Sequence, residues 1–197
     1  MRIAIFSDVH GNIIALDAVL ADVGAIGGAD AYWFVGDAAA LGHDPASTVK
    51  ILASIPGLVA VRGNTDRYIV ADNLDQAPNF AAMLANDDEA VRRRAEMMIE
   101  SMAWARDALA ASGGLDWVAS LPTDARVVLP DGTRVLIVHA SPGTDDGPGL
   151  RDTQSDDEVR ALIADADAGL IVVGHTHLPI DRTVDGVRIW NLGSVSM

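Results

Sequence analysis

Short apolar runs that end at glycine or a polar residue recur along the chain, and they predict buried strands. The clearest of them is Leu170–Val173, which is followed by Gly174, His175 and His177. Four apolar residues before a glycine are typical of a fully buried strand and its exit. Further strands of this kind are predicted at residues 2–6, 32–35, 58–61 and 134–138.

Helical periodicity and capping residues predict helices after the first two strands. Asn12 is a candidate N-cap for a helix that Gly24 is predicted to end. Asp44 and Pro45 suit the N-cap and the first position of a second helix, which is predicted to run to about residue 54. The intervening loops therefore follow the carboxyl ends of strands, where α/β folds usually hold their chemistry.

Residues 67–121 have helical rather than strand-like patterning. They predict a helical insert within one domain that spans residues 1–197. Asn86 and Glu89 suggest a capping box at the start of its longest helix. We expect the insert to lie beside or over the functional site and to be a candidate surface for a homodimer. Its helices are predicted at residues 78–84, 86–111 and 115–121.

A hairpin, a further helix and two more strands complete the predicted fold. The hairpin joins residues 126–129 to residues 134–138. Ser155 and Glu158 form a second capping box, for a helix to about residue 166. The loop at 143–152 is rich in Gly, Asp and Pro and is expected to be mobile. The last strands are predicted at residues 180–184 and 187–192.

The chain carries a formal net charge of −14, which weighs against binding to polymeric nucleic acid or to an anionic membrane. One basic run, at residues 92–94, is interpreted as a solvated helix face. There is no cysteine, so neither disulfides nor thiolate metal ligands are available. No apolar run reaches the length of a transmembrane span. The strand that begins at residue 2 leaves no room for a signal peptide, so a cytoplasmic protein is expected.

Residues with metal-ligand chemistry recur at the ends of the predicted strands. Four of the five histidines follow apolar, strand-like runs. A single Asp is usually a cap or a loop residue, and Gly-Asn is an ordinary turn signal, so each position alone favours a structural role. Their recurrence at one strand end after another favours metal ligation instead. The candidate ligands are Asp8, His10, Asp37, Asn64, His139, His175 and His177.

This set offers oxygen and nitrogen donors but no sulfur, which suits Mn, Fe, Zn or Ni better than Ca. Seven ligands exceed what one octahedral site with room for water needs, so they indicate two metal ions that share a carboxylate. Two ions roughly 3.5–4 Å apart can clamp the attacking and leaving oxygens of an in-line displacement at phosphorus, and can supply hydroxide near neutral pH.

The chain contains five short motifs in the order Asp8-x-His10, Gly36-Asp37, Gly63-Asn64-x-Asp66, His139 after an apolar strand, and Gly174-His175-x-His177. Together they resemble the motifs of the calcineurin-like metallophosphoesterase superfamily, and in particular of a bacterial phosphodiesterase-like subgroup. Each motif is weak alone, but their common order over nearly the whole chain is specific. The resemblance implies an α/β (α+β) fold, a four-layer α-β-β-α sandwich of two mixed sheets with the helical insert.

The resemblance also implies roles for these residues. A first metal would be held by Asp8, His10 and His177. A second would be held by Asn64, His139 and His175, and Asp37 would bridge the two. Catalysis is assigned to Asp37, Asn64, Asp66 and His139. The implied cofactors are two divalent transition metal ions, with Mn expected first and Fe, Zn or Ni as alternatives.

One departure from the superfamily pattern bears on the substrate. Many members have histidine where this chain has Thr65, and that histidine is thought to assist the leaving group or the charged phosphoryl oxygens. Thr65 can donate a hydrogen bond but cannot serve as a general acid near neutral pH. Relatives that lack the histidine tend towards phosphodiesters, so the resemblance favours a phosphodiesterase that acts on a small phosphoester.

Two alternatives stay open. The first is a phosphomonoesterase or a dinucleoside polyphosphate hydrolase, because the motifs indicate only that the reaction takes place at phosphorus and do not identify the substrate. The second, of another class, is a catalytically weak metal-binding scaffold, which Thr65 keeps open although the complete ligand set argues against it. Substrate profiling separates the first alternative, and full metal occupancy without hydrolysis would support the second.

Overall fold

The computed structural model describes residues 1–71, 74 and 78–197, with the exception of the side chains at 78 and 79. The strands are β1 (Ile3–Phe6), β2 (Ala31–Val35), β3 (Val59–Val61), β4 (Asp124–Val128), β5 (Arg134–Val138), β6 (Leu170–Val173), β7 (Ile180–Val184) and β8 (Val187–Asn191). The helices are α1 (Ile13–Ala25), α2 (Pro45–Ser54), α3 (Asn64–Ala71), α4 (Pro78–Leu84), α5 (Glu89–Ser112), α6 (Leu115–Ser120) and α7 (Asp156–Ile163). Among the described helices, none has the length and apolar character to cross a membrane.

The strands form two sheets. The first has the order β1-β2-β3, and both of its pairings are parallel. The second has the order β4-β5-β6-β8-β7 and is mixed, with antiparallel pairs at its two edges. The prediction of two mixed sheets therefore holds for the second sheet only. The first is parallel throughout its described strands because α1 and α2 are crossover connections, which return each strand in the same direction.

Successive side chains of each strand point to opposite faces of its sheet, so one face packs against the other sheet and the other face packs against helices. This arrangement produces the four predicted layers. Trp33 and Val35 of β2 pack between the two sheets, against Val135 and Ile137 of β5. Phe34 points to the opposite face, into the cluster formed with the helices. On the outer face of the second sheet, side chains of β5, β6 and β8 pack against α7. The α-β-β-α sandwich is confirmed.

Helices α3 to α6 share one hydrophobic cluster with the first sheet and with α1 and α2. Phe34 of β2, Met102 and Leu109 of α5, and Val118 of α6 belong to it. The helical segment begins at Asn64, three residues before the predicted insert, because α3 starts directly at the Gly-Asn pair that the sequence had favoured as a turn. Part of the predicted insert, at residues 72–73 and 75–77, lies outside the described residues.

Helix caps show where local sequence determines an element's boundary. Asn12 accepts a hydrogen bond from Ala15 N, as an N-cap should. Gly24 does not end α1, because the helix continues to Ala25 and is closed by the N–H of Ile26. The N-cap of α5 is Asp88 rather than Asn86, since its carboxylate reaches Ala90 N at 2.8 Å.

The capping box predicted at the start of α7 is confirmed. Ser155 accepts from the backbone of Glu158, whose carboxylate in turn accepts from Ser155 N at 2.7 Å. This reciprocal pair satisfies two of the N–H groups that a helix N-terminus leaves without partners.

Candidate metal centre

The loops that follow β1, β2, β5 and β6 meet at one edge of the sandwich. Asp8 N donates to Gly36 O at 3.0 Å and His10 N donates to Asp37 O at 2.9 Å, so the loops after β1 and β2 are joined. In the second sheet, Gly174 N donates to His139 O at 2.9 Å. Between the sheets, His175 N donates to Asp8 Oδ2 at 3.1 Å, so the strand ends of both sheets lie side by side, as the sequence predicted for its candidate ligands.

Five of the seven candidate ligands have left-handed backbone conformations. Their φ angles lie between +52° and +68°, a region that non-glycine residues occupy only at a cost. Such a concentration of strained residues is typical of functional sites, where the surrounding structure holds them in place. The residues are Asp8, His10, Asp37, His175 and His177.

The fully buried carboxylate of Asp8 lies at the centre of three imidazoles. Its Oδ1 atom is 3.1 Å from His177 Nε2, 3.7 Å from His10 Nε2 and 4.0 Å from His139 Nε2. None of these contacts meets the geometry of a hydrogen bond, so Oδ1 has no hydrogen-bond partner, whereas Oδ2 accepts from the backbone N of His175 at 3.1 Å. A buried carboxylate oxygen without a partner is costly unless a cation binds it.

The carboxylate of Asp37 lies between two of these imidazoles. Its Oδ2 atom is 3.4 Å from His139 Nε2 and 3.7 Å from His10 Nε2. Its Oδ1 atom accepts from the backbone N of Thr65 at 3.0 Å, which fixes the orientation of the group. Asp37 is thus placed to contact ligand groups on both sides of the cluster.

Hydrogen bonds to backbone carbonyls determine which nitrogen of two histidines is free. His139 Nδ1 lies 2.7 Å from Val35 O, and His175 Nε2 lies 2.8 Å from Gly147 O. Because a carbonyl oxygen only accepts, we assign a proton to each of these nitrogens. His139 Nε2 is left buried without a partner, and His175 Nδ1 faces Asn64 Oδ1 at 3.0 Å. A lone pair and an amide oxygen that face each other favour a cation between them.

The electrostatics of the cluster also favour a bound cation. Burial would lower the pKa of His139, but the carboxylates of Asp37 and Asp8 outweigh it and raise this pKa to about 10. Burial lowers the pKa of His10, against the same two carboxylates. For Asp37, burial alone would raise the pKa, yet His139 and His10 lower it overall. The buried carboxylate of Asp37 therefore favours positive charge beside it, either protons on the imidazoles or a metal ion.

The residues fit a divalent transition metal. Two groups have ligand atoms that lie within 4.8 Å of one another, namely Asp8 with His10 and His177, and Asp8 with Asp37 and His139. Their donors are carboxylate oxygens and imidazole nitrogens, and two of those atoms, Asp8 Oδ1 and His139 Nε2, are buried without partners. The structure thus brings the seven candidate ligands into one cluster, with Asn64 and His175 adjoining these two groups.

Asp66, which was predicted as catalytic, does not join this cluster. It is fully buried, and its two oxygens accept from the backbone N of Asp37, Ala38 and Gly63, each at 2.9 Å. Burial, and secondarily the charge of Asp37, raises the pKa of Asp66 to about 7. Since the carboxylate is occupied by the backbone, Asp66 holds the loops after β2 and β3 together rather than facing a substrate.

The turn that carries His175 and His177 is held by Asn191, the last residue of β8. Asn191 is buried, and its Nδ2 donates to Gly174 O at 2.7 Å and to Thr176 Oγ1 at 2.9 Å. Ser194 Oγ likewise donates to Asp8 O at 2.9 Å. Both side chains support ligand-bearing backbone without providing ligands. Periodicity could not find them, because their partners lie far away in sequence.

The loop at 143–152 is anchored by ion pairs, unlike the mobile loop that the sequence predicted. Asp145 is buried and accepts from Arg62 Nε at 2.8 Å and from Arg67 Nε at 3.0 Å. Asp146 binds Arg67 at 2.9 Å and also Tyr68. The anchored loop then presents its Gly147 carbonyl to His175. The composition of the loop had indicated flexibility, but the side chains of Asp145 and Asp146 bind the loop to α3 and to the end of β3.

Glycines allow the closest backbone approaches in the cluster. A Cβ atom at Gly63 would lie 2.0 Å from Asp37 Oδ1, and one at Gly174 would lie 2.3 Å from Asp8 Oδ2. Neither position has room for a side chain, because the carboxylate of a candidate ligand occupies that space. The glycines of the Gly-Asn and Gly-His motifs are therefore steric requirements of the site.

Comparisons with known proteins give the family and the fold of the chain. The profile described as a calcineurin-like phosphoesterase superfamily domain matches residues 1–197. A hypothetical protein from Pyrococcus horikoshii superposes with a TM-score of 0.75 at 17% identity, over 98% of this chain and 77% of its own. A metallophosphoesterase from Sphaerobacter thermophilus gives 0.70 at 25% identity, over 100% and 77%. The phosphoesterase Yfce from E. coli gives 0.52 at 23% identity, over 100% and 81%. No curated protein matches the chain.

Proposed function

The chain belongs to the calcineurin-like phosphoesterase superfamily, and from that premise we propose that it is a metal-dependent phosphodiesterase. Membership supports hydrolysis of a phosphoric ester. The finer proposal names two metal ions, with Mn expected first and Fe, Zn or Ni as alternatives, and a small phosphodiester as substrate. A net charge of −14 supports a small substrate over polymeric nucleic acid.

The observation that carries the proposal is the convergence of unpaired ligand atoms in a buried cluster. Asp8 Oδ1 and His139 Nε2 have no hydrogen-bond partner and lie 4.0 Å apart. Buried polar atoms in a folded protein are nearly always paired, and two unpaired ligand atoms so close together suit the binding of a cation. Metal ions would satisfy both.

We propose that the ligands divide into two sets. Asp8, His10 and His177 would hold one ion, and the first of the two candidate groups supports this set. Asn64, His139 and His175 would hold the other. Asp37 would be shared, which its position between His10 and His139 supports.

When bound, a pair of divalent ions supplies an activated water nucleophile and neutralises the charge that develops at phosphorus. The chain's own residues prepare that chemistry. Val35 and Gly147 orient two imidazoles through their carbonyl oxygens, so the free nitrogens point into the cluster. Asp66 holds the backbone of Asp37 in place. The reacting groups would therefore be oriented before a substrate arrives.

Thr65 supports a diester as the substrate. Its hydroxyl is buried and has no hydrogen-bond partner, while its backbone N binds Asp37 Oδ1 at 3.0 Å. The hydroxyl can donate to a phosphoryl oxygen but cannot protonate a leaving group near neutral pH. A diester has one negative charge fewer on its phosphoryl oxygens than a fully ionised monoester, so it depends less on a cationic histidine at this position.

The test compares hydrolysis of bis-p-nitrophenyl phosphate with hydrolysis of p-nitrophenyl phosphate by metal-stripped protein, with and without Mn. We expect Mn-dependent cleavage of the diester in excess over the monoester. Asp37→Asn should remove this activity, whereas the matched control Asp17→Asn, on the exposed face of α1, should retain it.

Each other outcome contradicts part of the proposal. A preference for the monoester would indicate a phosphomonoesterase despite Thr65. Cleavage of dinucleoside polyphosphates in preference to either test compound would indicate a pyrophosphate hydrolase. Full metal occupancy with no hydrolysis of any phosphoester would indicate a metal-binding scaffold.

A further inference from the structure

The outer face of α5 exposes large apolar side chains that the described parts of the chain leave uncovered. Met97 is 64% exposed and Trp104 is 49% exposed. They are seven residues apart and therefore lie on one face of the helix, about two turns from each other. Beside them Leu41 is 38% exposed and has a φ of +75°, an unusual conformation for leucine. We propose that this face is the interface of a symmetric homodimer, in which two copies of α5 pack antiparallel.

The face has a groove at one end and a large side chain at the other. The groove, of about 430 Å³, is lined by Leu41, Met97 and Met98 together with Arg93 and Arg94. In an antiparallel pair with its twofold axis near residue 100, Met97 faces the position next to Trp104 of the partner subunit. Each copy would therefore insert its tryptophan into the groove of the other. Such an interface is self-complementary, as twofold symmetry requires.

The chemistry of the groove suits an indole ring. Met97 and Met98 provide flexible, polarisable contacts, and arginine side chains stack favourably on tryptophan. Tryptophan and arginine are also the residues that most often dominate binding energy at interfaces. A single large anchor in each groove is thus expected to account for much of the association.

The charges at the edge of the face are complementary at one pair of positions under the same symmetry, although Glu100, on the axis, faces its own copy. Arg93 and Asp107 each lie seven residues from Glu100, on opposite sides of it. At about 100° per residue they are within about 40° of each other around the helix, so they share one edge of the face. The antiparallel pairing brings Arg93 opposite Asp107 of the partner subunit and forms this ion pair twice. With a net charge of −14 per chain, copies repel each other at long range, and only such local complementarity favours this face.

The first test is the mass of the full chain in solution, measured by sedimentation over a series of concentrations. We expect twice the 20.6 kDa of one chain for the wild type, falling to one chain on dilution. Trp104→Glu should be monomeric. The matched control Ile14→Glu, which places the same charge on a 71% exposed side chain of α1, should remain dimeric. A wild type that stays monomeric, or a Trp104→Glu variant that stays dimeric, would overturn the proposal.

A charge exchange keeps the test independent of any folding defect in Trp104→Glu. Arg93→Asp and Asp107→Arg should each weaken the dimer, because each opposes like charges across the axis. The double variant should restore it, since the pair is re-formed with its signs reversed. A double variant no tighter than either single variant would contradict the antiparallel arrangement.

The position of the axis can be tested by cross-linking, because the chain has no cysteine of its own. Ser101→Cys lies next to the axis and should form a disulfide dimer under mild oxidation. Ser112→Cys, at the end of the same helix and about 16 Å further along it at 1.5 Å per residue, should not. Equal cross-linking of the two variants, or none with either, would overturn the proposed axis.

Discussion

His139, which follows β5, donates a hydrogen bond from Nδ1 to the carbonyl of Val35 at the end of β2, 2.7 Å away. The bond joins the two sheets at the edge where the candidate ligands meet. It also directs His139 Nε2 towards Asp37 and Asp8, which lie 3.4 Å and 4.0 Å away. The fold itself therefore orients this imidazole, as outer-shell partners commonly do for metal ligands.

We expect His139→Ala to reduce Mn-dependent hydrolysis of a diester by more than about 100-fold, because metal assistance supplies several kcal/mol of transition-state stabilisation. The measurement is kcat/KM for bis-p-nitrophenyl phosphate at saturating Mn. His43→Ala, which changes an exposed loop histidine, is the control and should retain activity. Undiminished turnover in His139→Ala would show that this imidazole is not a ligand.

Asn191→Ala should weaken metal binding without removing a ligand. The variant loses the amide that donates to Gly174 O and Thr176 Oγ1, so the turn that carries His175 and His177 is no longer fixed. Loss of an outer-shell partner typically costs roughly 10–100-fold in metal affinity or activity. Calorimetric titration with Mn measures the affinity, and Asn86→Ala, on an exposed turn, is the control.

A purely structural role for Asn191 would give a different result. In that case the denaturation midpoint of the metal-free protein would fall while the Mn affinity of the folded fraction stayed at the wild-type value. We expect the affinity itself to fall.

Gly149→Ala should disturb the site through a steric contact. A Cβ atom there would lie 2.8 Å from Thr176 Cγ2 and 3.0 Å from His175 Cδ2. The control is Gly57→Ala, since Gly57 has a similar φ of +68° against +64° but no atom near its added Cβ. Both variants should lose roughly 1 kcal/mol of stability from backbone strain, and only Gly149→Ala should also lose diester hydrolysis. Equal activities of the two variants would rule out the contact with His175 as the cause.

Asp66→Asn should destabilise the metal-free protein. Its carboxylate accepts hydrogen bonds from three backbone N–H groups. The amide of asparagine would replace one acceptor oxygen with an NH2 group, which is a donor and cannot accept from these N–H groups. A buried donor left without an acceptor costs about 1–3 kcal/mol. Urea denaturation followed by circular dichroism measures the loss, with exposed Asp17→Asn as control. If the two variants unfolded at the same urea concentration, the three hydrogen bonds would not carry the stability that we assign to them.

The sequence predicted most of the elements because their signals are local. β6, which precedes His175, and α2, which follows Asp44, have the predicted bounds. Apolar runs and caps depend on neighbouring residues, so they can be recognised without tertiary information. The start of α3 at Asn64 was missed, since a Gly-Asn pair is also an ordinary turn signal and only its tertiary bonds distinguish the two.

The candidate ligands could be predicted for a different reason. They follow strands, and parallel strands of one sheet end at the same edge, so order along the chain implied proximity in space. The supporting residues could not be found this way. Asp145 binds Arg62 across 83 positions, and the partner of Ser194 is the backbone of Asp8, 186 positions away. Asp66 was assigned to catalysis from its motif, and only its hydrogen bonds show that the backbone occupies it.

The central claim is that one buried cluster holds two metal ions that share Asp37. The most direct measurement is the number of Mn ions per chain, by elemental analysis of reconstituted protein, for the wild type and for Asp37→Asn. We predict two ions per wild-type chain, and at most one in the variant together with loss of diester hydrolysis. No Mn bound by the wild type, or two ions retained and full activity in Asp37→Asn, would contradict the account.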